Sequence, residues 1–328
     1  YATIIGSNGN DYITFDGFTL QSDGGTRMAR MIIWANTGTS DYITIRNCTF
    51  NGGSTIINST DNREGIRVEK ATNVIIQGCK IFNYRQTSNY HNTSGLKFYH
   101  DNNVIVENCE IANCSAGIFY KSAVDTAITR YNFIHNCFRG IETTPWRSGF
   151  DMNKHSYYHN VIINCAYTGI HVYIQENATA NNLIINNNTI YNAVTNVESY
   201  GIFVGTSSSW TASNSIKFYN NIIQGGKYKA TFCPGVISEC NYNQYGNSGS
   251  FNIRTNYASS TRTYTNLSSW KESVEVSGNI HPDTNGLASN PLFTNISGKY
   301  SQLADFKLTS NSPCKSTGKN GSDMGANI

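Results

Sequence analysis

Residues 115–141 read SAGIFYKSAVDTAITRYNFIHNCFRGI, a stretch holding one full structural unit and the start of the next. It opens on Gly117-Ile118-Phe119-Tyr120, runs to TRYNFI at 129–134, passes Cys137 and begins again at Gly140-Ile141. The same order of features recurs every 30 residues or so, roughly the period at which one supersecondary unit stacks on copies of itself. Aligned on TRYNFI, the segments IRNCTF, IQGCKI, VENCEI, YYHNVI, INNNTI and FYNNII fall into register. Their fourth residues form a column of Cys48, Cys79, Cys109, Asn132, Asn160, Asn188 and Asn221, with Phe18 one period earlier. Two residues on, the column reads Leu20, Phe50, Ile81, Ile111, Ile134, Ile162, Ile190 and Ile223. Five residues past the reference it runs Tyr84, Cys114, Cys137, Cys165 and Ala193.

Each unit begins with a run such as YITI, NVII or NVIV, whose two-residue alternation is that of a half-buried strand. A second strand follows a glycine, as in Gly65-Ile66-Arg67-Val68, Gly95-Leu96-Lys97-Phe98 and Gly169-Ile170-His171-Val172. These glycines are expected at sharp corners with positive φ. Short strands repeated in one direction describe a coil rather than a sandwich of hairpins. Successive coils then lie about 4.8 Å apart, each residue above its equivalent one turn earlier. Inward columns become aliphatic and cysteine stacks, and Asn132, Asn160, Asn188 and Asn221 are expected to form a structural ladder of side-chain amides.

The repeat runs from about residue 11 to 226, so 1–226 reads as one elongated domain of about eight clear coils. Residues 227–328 read as an irregular appendage of the same domain, with a short helix at LSSWKES and closing coils. Net charge is +3 and only 14% of residues are charged, without the clustering of lysine and arginine that nucleic-acid binding requires. No apolar run is long enough for a membrane-spanning helix. The 21 tyrosines and many Asn, Ser and Thr residues make a neutral, hydrogen-bonding surface suited to sugars or to packing against proteins. The chain starts at Tyr1 almost directly in a strand, which predicts a processed N-terminus and an exposed first coil available for self-association. Of the nine cysteines, six fall in the two inward columns and are expected as free thiols, while Cys233 and Cys240 are the better disulfide candidates. Asn58, Asn92, Asn266 and Asn295 open glycosylation sequons.

The columns, the rhythm of residues 115–141 and the closing segments NYNQYGN, SNPLFTN, DFKLTSNSPCKSTG and GSDMGA carry a resemblance. The chain resembles the right-handed parallel β-helix proteins of the pectate-lyase-like superfamily. The resemblance implies an all-β, right-handed, single-stranded parallel β-helix, secretion to the extracellular space, and a polysaccharide partner. For a lyase on acidic glycans it also implies a base for the C5 proton and a group that neutralises the uronate carboxylate, often Ca²⁺. No clear calcium-ligand set is present. Where pectate lyases carry Trp-Ile-Asp-His, this chain has Val-Ile-Val-Glu, which leaves Glu107. Where they carry the proton-abstracting arginine, it reads Ala166-Tyr167-Thr168-Gly169. Arg139 lies near the position of a substrate-binding lysine of that family. The Asn-Thr-Asp, Asp-Asp and Gly-His-Gly motifs of polygalacturonases do not occur, and Glu64, Glu142 and Asp151 are scattered acids without a spacing pattern.

The outward positions of the Gly-Ile strands are where such a fold builds a groove. One column contains Arg67, Lys97, Phe119, Glu142, His171 and Phe203; the next contains Glu69, Tyr99, Lys121, Thr144 and Tyr173. Residues 143–156, TTPWRSGFDMNKHS, break the repeat and predict a bulge beside the groove, the kind of loop on which function concentrates. Lys97 or Lys121 is the candidate base, Arg147 the carboxylate neutraliser and Trp146 a stacking platform. Tyr99, Arg139, Glu142, His171 and Tyr173 complete the candidate substrate contacts. The alternative is a non-enzymatic filament, adhesin or virion component that uses the coil as a rigid rod.

Overall fold

The computed structural model describes residues 2–6, 9–22, 29–34, 38–54, 63–87, 92–192, 198–207, 215–233, 235–246, 250–256, 260–276, 280–295 and 302–328. The expectations on Tyr1, Asn58 and Ala193 fall outside them. The chain is a right-handed parallel β-helix of three sheets, here called A, B and C. Sheet A holds the Gly-Ile strands, among them Ile66–Glu69, Ser94–Tyr99, Ala116–Lys121, Arg139–Thr144, Thr168–Ile174 and Tyr200–Thr206. Sheet B holds the alternating strands, such as Asn102–Glu107 and Asp125–Arg130. Sheet C holds the short ones, such as Glu110–Ala112 and Phe133–His135. Register is direct: Ile111 pairs with Ile81 and with Ile134, and Ile134 with Ile162, as the sequence columns require.

The inward columns are the core. Ile81, Ile111, Ile134, Ile162, Ile190 and Ile223 are buried, as are Cys48, Cys79, Cys109, Cys114, Cys137 and Cys165, all as free thiols. The asparagine ladder is present as well. Each Nδ2 donates to the next Oδ1, from Asn132 to Asn160 at 2.9 Å, Asn160 to Asn188 at 3.0 Å, and Asn188 to Asn221 at 3.1 Å. It runs one rung further than the repeat suggests, through Asn243 at 3.1 Å, and ends on the carboxylate of Asp283 at 2.9 Å.

Three expectations change. The Gly-Ile glycines do not adopt positive φ. A Cβ on Gly140 would lie 2.4 Å from the Gly169 carbonyl oxygen and 2.7 Å from Ile162 Cγ2, so glycine is required by close stacking of neighbouring coils. Positive φ falls instead on corner asparagines, including Asn83, Asn113, Asn136 and Asn164 in one column and Asn108, Asn187 and Asn220 in another. Asparagine is among the few side-chain residues that enter the left-handed region at low cost. Second, Cys233 and Cys240 are not bridged; the Cys240 thiol donates to Asp283 Oδ2 at 3.1 Å. Third, the bulge is confined to the segment between Thr144 and Met152. Lys154 and His155 belong to the strand Met152–Tyr158, and His155 is buried, with ring nitrogens on the Tyr157 hydroxyl at 2.7 Å and the Val124 carbonyl at 2.8 Å. Burial pushes its pKa down to about 4.

The parallel ladders also run past residue 226. Tyr228–Phe232 and Ile253–Asn256 extend sheet A, Ile237–Asn241 extends sheet B and Gln244–Tyr245 extends sheet C. Gln244 and Tyr245 replace the aliphatic pattern there, which hides these strands from a search for repeats. An antiparallel strand, Thr261–Tyr264, and the short helix Leu267–Lys271 close this end. Trp270 stacks on Phe232 with ring centroids 5.9 Å apart and donates its indole N–H to Asp283. The last segment returns along the outside of sheet C, where Phe306, Cys314 and Met324 pack with Phe133, Val161, Ile163 and Ile222. That contact leaves the outer face of sheet A clear of the tail's apolar cluster.

Candidate functional site

Strand register brings the two predicted columns together on sheet A. Lys97 pairs with Arg67 and Phe119, Phe119 with Glu142, Glu142 with His171, and His171 with Phe203. Tyr99 pairs with Glu69 and Lys121 with Thr144 in the neighbouring column. The first column is far more buried than outward strand positions usually are. Lys97 is 2% exposed, Phe119 0%, Glu142 1% and His171 7%, so these residues form a floor rather than a solvated stripe. The second column, with Tyr99, Lys121 and Tyr173 half-buried, forms a step above it.

Charges on this floor are paired across coils. Lys97 Nζ donates to Glu64 Oε1 at 3.0 Å, and Arg30 approaches the other oxygen of the same carboxylate at 3.7 Å. Burial is the larger influence on Lys97 and brings its pKa down to about 8, against the opposing pull of Glu64. Lys121 donates to Asn92 Oδ1 at 3.1 Å and lies 6.0 Å from the centre of the Tyr99 ring. Its pKa is lowered by burial and then by the charge of Arg67. A less costly neutral amine is what a lysine base needs near neutral pH.

Further along, a cleft of about 370 Å³ opens over Glu142 and His171. It is lined by Arg139, Glu142, Thr144, Tyr167, His171, Tyr173, Gln175 and Phe203. The Glu142 carboxylate sits 3.6 Å from His171 Nδ1 and 3.8 Å from Arg139 Nε. His171 stacks on Phe203 at 5.0 Å and on Tyr173 at 5.9 Å, and Tyr167 stands edge-on to it at 5.8 Å. A carboxylate flanked by a cation and an imidazole between aromatic rings suits a pyranose, whose faces are apolar and whose rim is hydroxylated. Lys121 is in register with Thr144, one strand from the cleft.

Trp146 and Arg147 lie on the loop at one edge of this face. Trp146 is 39% exposed, and the Arg147 guanidinium lies 5.1 Å from its ring and 4.5 Å from that of Phe150. Phe150 in turn contacts His100 at 5.2 Å, and His100 contacts Tyr99 at 4.1 Å. The loop therefore connects with the Tyr99 and Lys121 end of the face, while Arg139 is the arginine in the cleft itself. Glu107, the acid that the resemblance singles out, is on sheet B, bound by Arg130 at 2.7 Å and by Gln77 at 2.7 Å. Among the described residues, no three His, Cys, Asp or Glu side chains gather in a group that could hold a metal ion. No described helix is long and apolar enough to cross a membrane.

Sequence reading did not single out Tyr167 as a cleft wall or Glu64 as the Lys97 partner. Both lie one or two residues before the glycine of a Gly-Ile strand, as do Phe138, Arg139 and Tyr200. Large residues clustering at that offset were the available signal.

No curated protein matches the chain in sequence. Among solved structures it is similar to the pectate lyase Pel9A, with 13% identity and a TM-score of 0.55 over 96% of this chain and 68% of that one. It is also similar to the Dettilon tailspike protein, with 13% identity and a TM-score of 0.49 over 75% of this chain and 55% of that one. A third is PfbA, a surface adhesin of Streptococcus pneumoniae, with 10% identity and a TM-score of 0.46 over 85% and 78% of the two chains. At 13% identity the likeness to the pectate lyase is one of fold, which many activities share. The family model described as the right handed beta helix region matches residues 4–223, most of the coiled part, and the chain belongs to that family.

Proposed function

We propose that this is a secreted protein that binds an acidic polysaccharide along the outer face of sheet A and cleaves it by elimination. The observation that carries this reading is the cleft in which Tyr167, Tyr173 and Phe203 surround Glu142, held between Arg139 and His171. A uronate ring stacks on the aromatic walls, and its carboxylate pairs with Arg139. Lys121 takes the proton from the carbon next to that carboxylate. The C4–O bond then breaks, and the departing oxygen takes a proton from water to become the hydroxyl of a new chain end, leaving an unsaturated sugar on the other fragment. Lys97 is a positioning residue on this reading, since Glu64 already holds its ammonium. Trp146 and Arg147 extend the contact to the sugars beyond the edge of the sheet.

A second reading, a rigid rod without catalysis, draws on a specific observation: Lys97, Arg67, Arg139 and Lys121 each have a partner from the protein itself. The two readings separate in one experiment. Pectate, alginate and glycosaminoglycans are incubated with wild-type protein and with Lys121→Ala, and absorbance at the wavelength of unsaturated uronates is followed together with binding. Elimination predicts product with at least one glycan and a loss of about 10²-fold or more in the variant. Binding without product supports the rod, and neither binding nor product rejects a polysaccharide role.

A further inference from the structure

One feature beside sheet A begins at the cleft wall, at Arg139 and Tyr167, and continues beyond it to residues that the proposed chemistry does not use. Where sheet C turns into sheet A, aromatic rings from four successive coils stack into a strip parallel to the helix axis. Phe138 and Tyr167 are stacked at 5.4 Å, Tyr167 meets Tyr200 edge-on at 5.4 Å, and Tyr200 and Tyr228 are stacked at 5.3 Å. Two arginines lie along it. The Arg139 guanidinium is 4.9 Å from the Phe138 ring and 5.2 Å from that of Tyr167. The Arg254 guanidinium is 5.4 Å from the Tyr200 ring and 4.1 Å from that of Tyr228. Lys227, exposed on the turn, places its ammonium 5.5 Å from the same Tyr228 ring.

We infer that this strip is a second anion-recognising subsite, at Lys227, Tyr228 and Arg254, which takes a carboxylate-bearing sugar of the same polysaccharide chain. The inference rests on the proposed glycan reading of the cleft and extends it toward the C-terminal end of the coil. Charge balance favours an anion here. Two cations surround Tyr228, and the acid near them among the described residues is Glu198, which is 3.8 Å from Arg254, 57% exposed, and also accepts the Tyr200 hydroxyl. Geometry favours a chain rather than a single sugar. Arg139 spans the first two rings of the strip and Arg254 the last two, so their guanidinium groups are offset by two coil spacings, about 10 Å along the axis. A ligand that meets both must carry negative groups on separate sugars, and the half-buried rings of Tyr167 and Tyr228, with Tyr200 buried between them, offer apolar surface for pyranose rings at the two ends of that span. The partner is thus a linear polyuronate lying parallel to the helix axis, with the cleft at one end of the contact.

Length dependence tests this. Affinities of wild-type protein, Lys227→Ala and Arg254→Ala are measured by calorimetry for a disaccharide and an octasaccharide of the same uronate, with a neutral octasaccharide as control. Linked subsites make the octasaccharide bind wild type roughly tenfold or more tighter than the disaccharide. Each variant is expected to lose most of that gain, again roughly tenfold, while disaccharide affinity stays unchanged. Lys227 is exposed on a turn and its removal leaves the fold intact, so a folding defect in Arg254→Ala does not decide the outcome. Equal binding of both lengths by wild type, or an octasaccharide affinity untouched in Lys227→Ala, overturns the second subsite and leaves the cleft standing. Binding of the neutral octasaccharide as tightly as the acidic one overturns anion recognition. Failure of wild type to bind either uronate rejects the glycan reading itself, and the subsite with it.

Discussion

Replacing Asp283 with alanine should loosen the C-terminal closure of the coil more than any other single substitution away from the groove. Asp283 is fully buried and its two oxygens receive five donors. Oδ1 accepts the Asn243 backbone N–H at 3.1 Å and its side-chain amide at 2.9 Å. Oδ2 accepts the Tyr245 hydroxyl at 2.6 Å, the Trp270 indole at 2.9 Å and the Cys240 thiol at 3.1 Å. A buried donor left without an acceptor costs about 1–3 kcal/mol. Setting the weak thiol aside and allowing for water entering the vacated space, the four remaining donors put the loss at roughly 4–8 kcal/mol. That is comparable with the whole stability of an ordinary domain. In a stacked repeat the damage stays near its source, because each coil touches only its neighbours. The expected result in Asp283→Ala is therefore an early unfolding step, seen by Trp270 fluorescence in urea and by fast hydrogen exchange over residues 228–276, with the earlier coils still protected. Asp283→Asn keeps an acceptor for Asn243, and the Tyr245 and Cys240 hydrogens can reorient, so the indole alone loses its partner. Its cost should be about 1–3 kcal/mol. A loss below about 1 kcal/mol in the alanine variant would refute the claim that this carboxylate anchors the ladder.

Two further outcomes concern the fold. Lys229 is fully buried, and burial brings its pKa from the usual lysine range to about 8. Between pH 8 and the ordinary value near 10.5 the unfolded chain holds a proton that the folded chain has released, so this contribution raises stability with pH across that window. The shift corresponds to roughly 3 kcal/mol. The difference in unfolding free energy between wild type and Lys229→Met should therefore change by that order from pH 8 to 10.5, and a constant difference contradicts the assignment. Gly140→Ala should cost roughly 1–3 kcal/mol or more through overpacking against the next coil. An unchanged melting temperature in that variant would show that the coils can move apart locally.

The inward half of this molecule was readable from its sequence because stacking turns chemistry into columns. A buried position one coil spacing from its equivalents tolerates one kind of side chain, so Ile111, Cys137 and Asn160 announce both their direction and their neighbours. The corners were less readable, for two physical reasons. Asn108 and Asn187 hold left-handed backbone, a role that leaves no hydrophobic signature, and they merge into the general abundance of asparagine. Gly140 is needed for contact rather than for its φ, and sequence alone cannot separate those two uses of glycine. On the outer face, the two columns of sheet A were found in register, but the depth of the first was not foreseeable. Burial of Lys97 depends on Glu64, which lies on the preceding coil, 33 residues away. Trp146 is 39% exposed and the Arg147 guanidinium lies 5.1 Å from its ring, a contact between neighbours in sequence that depends on how the loop folds back.

Pairing on the outer face also constrains how a ligand can bind. Glu142 is held by Arg139 and His171, and Glu64 by Lys97 and Arg30, so an anion that pairs with Arg139 or Lys97 must displace a carboxylate that is already in place. Such an exchange returns little net free energy per sugar, since one ion pair replaces another in the same partly desolvated setting. Specific binding then has to come from summation along the axis. The coil suits this, because its spacing fixes the distance between equivalent side chains and the cost of ordering the ligand's first sugar is shared by those that follow. A polymer can gain from Tyr173, Phe203, Tyr167 and Tyr228 in turn, each half-buried, whereas a monosaccharide gains from one or two of them. The same pairing limits nonspecific attraction of small anions, because few cations of the groove are left without a protein partner. On the proposed glycan reading, affinity should therefore rise steeply with chain length, which is the behaviour that separates a groove built by stacked repeats from a closed pocket.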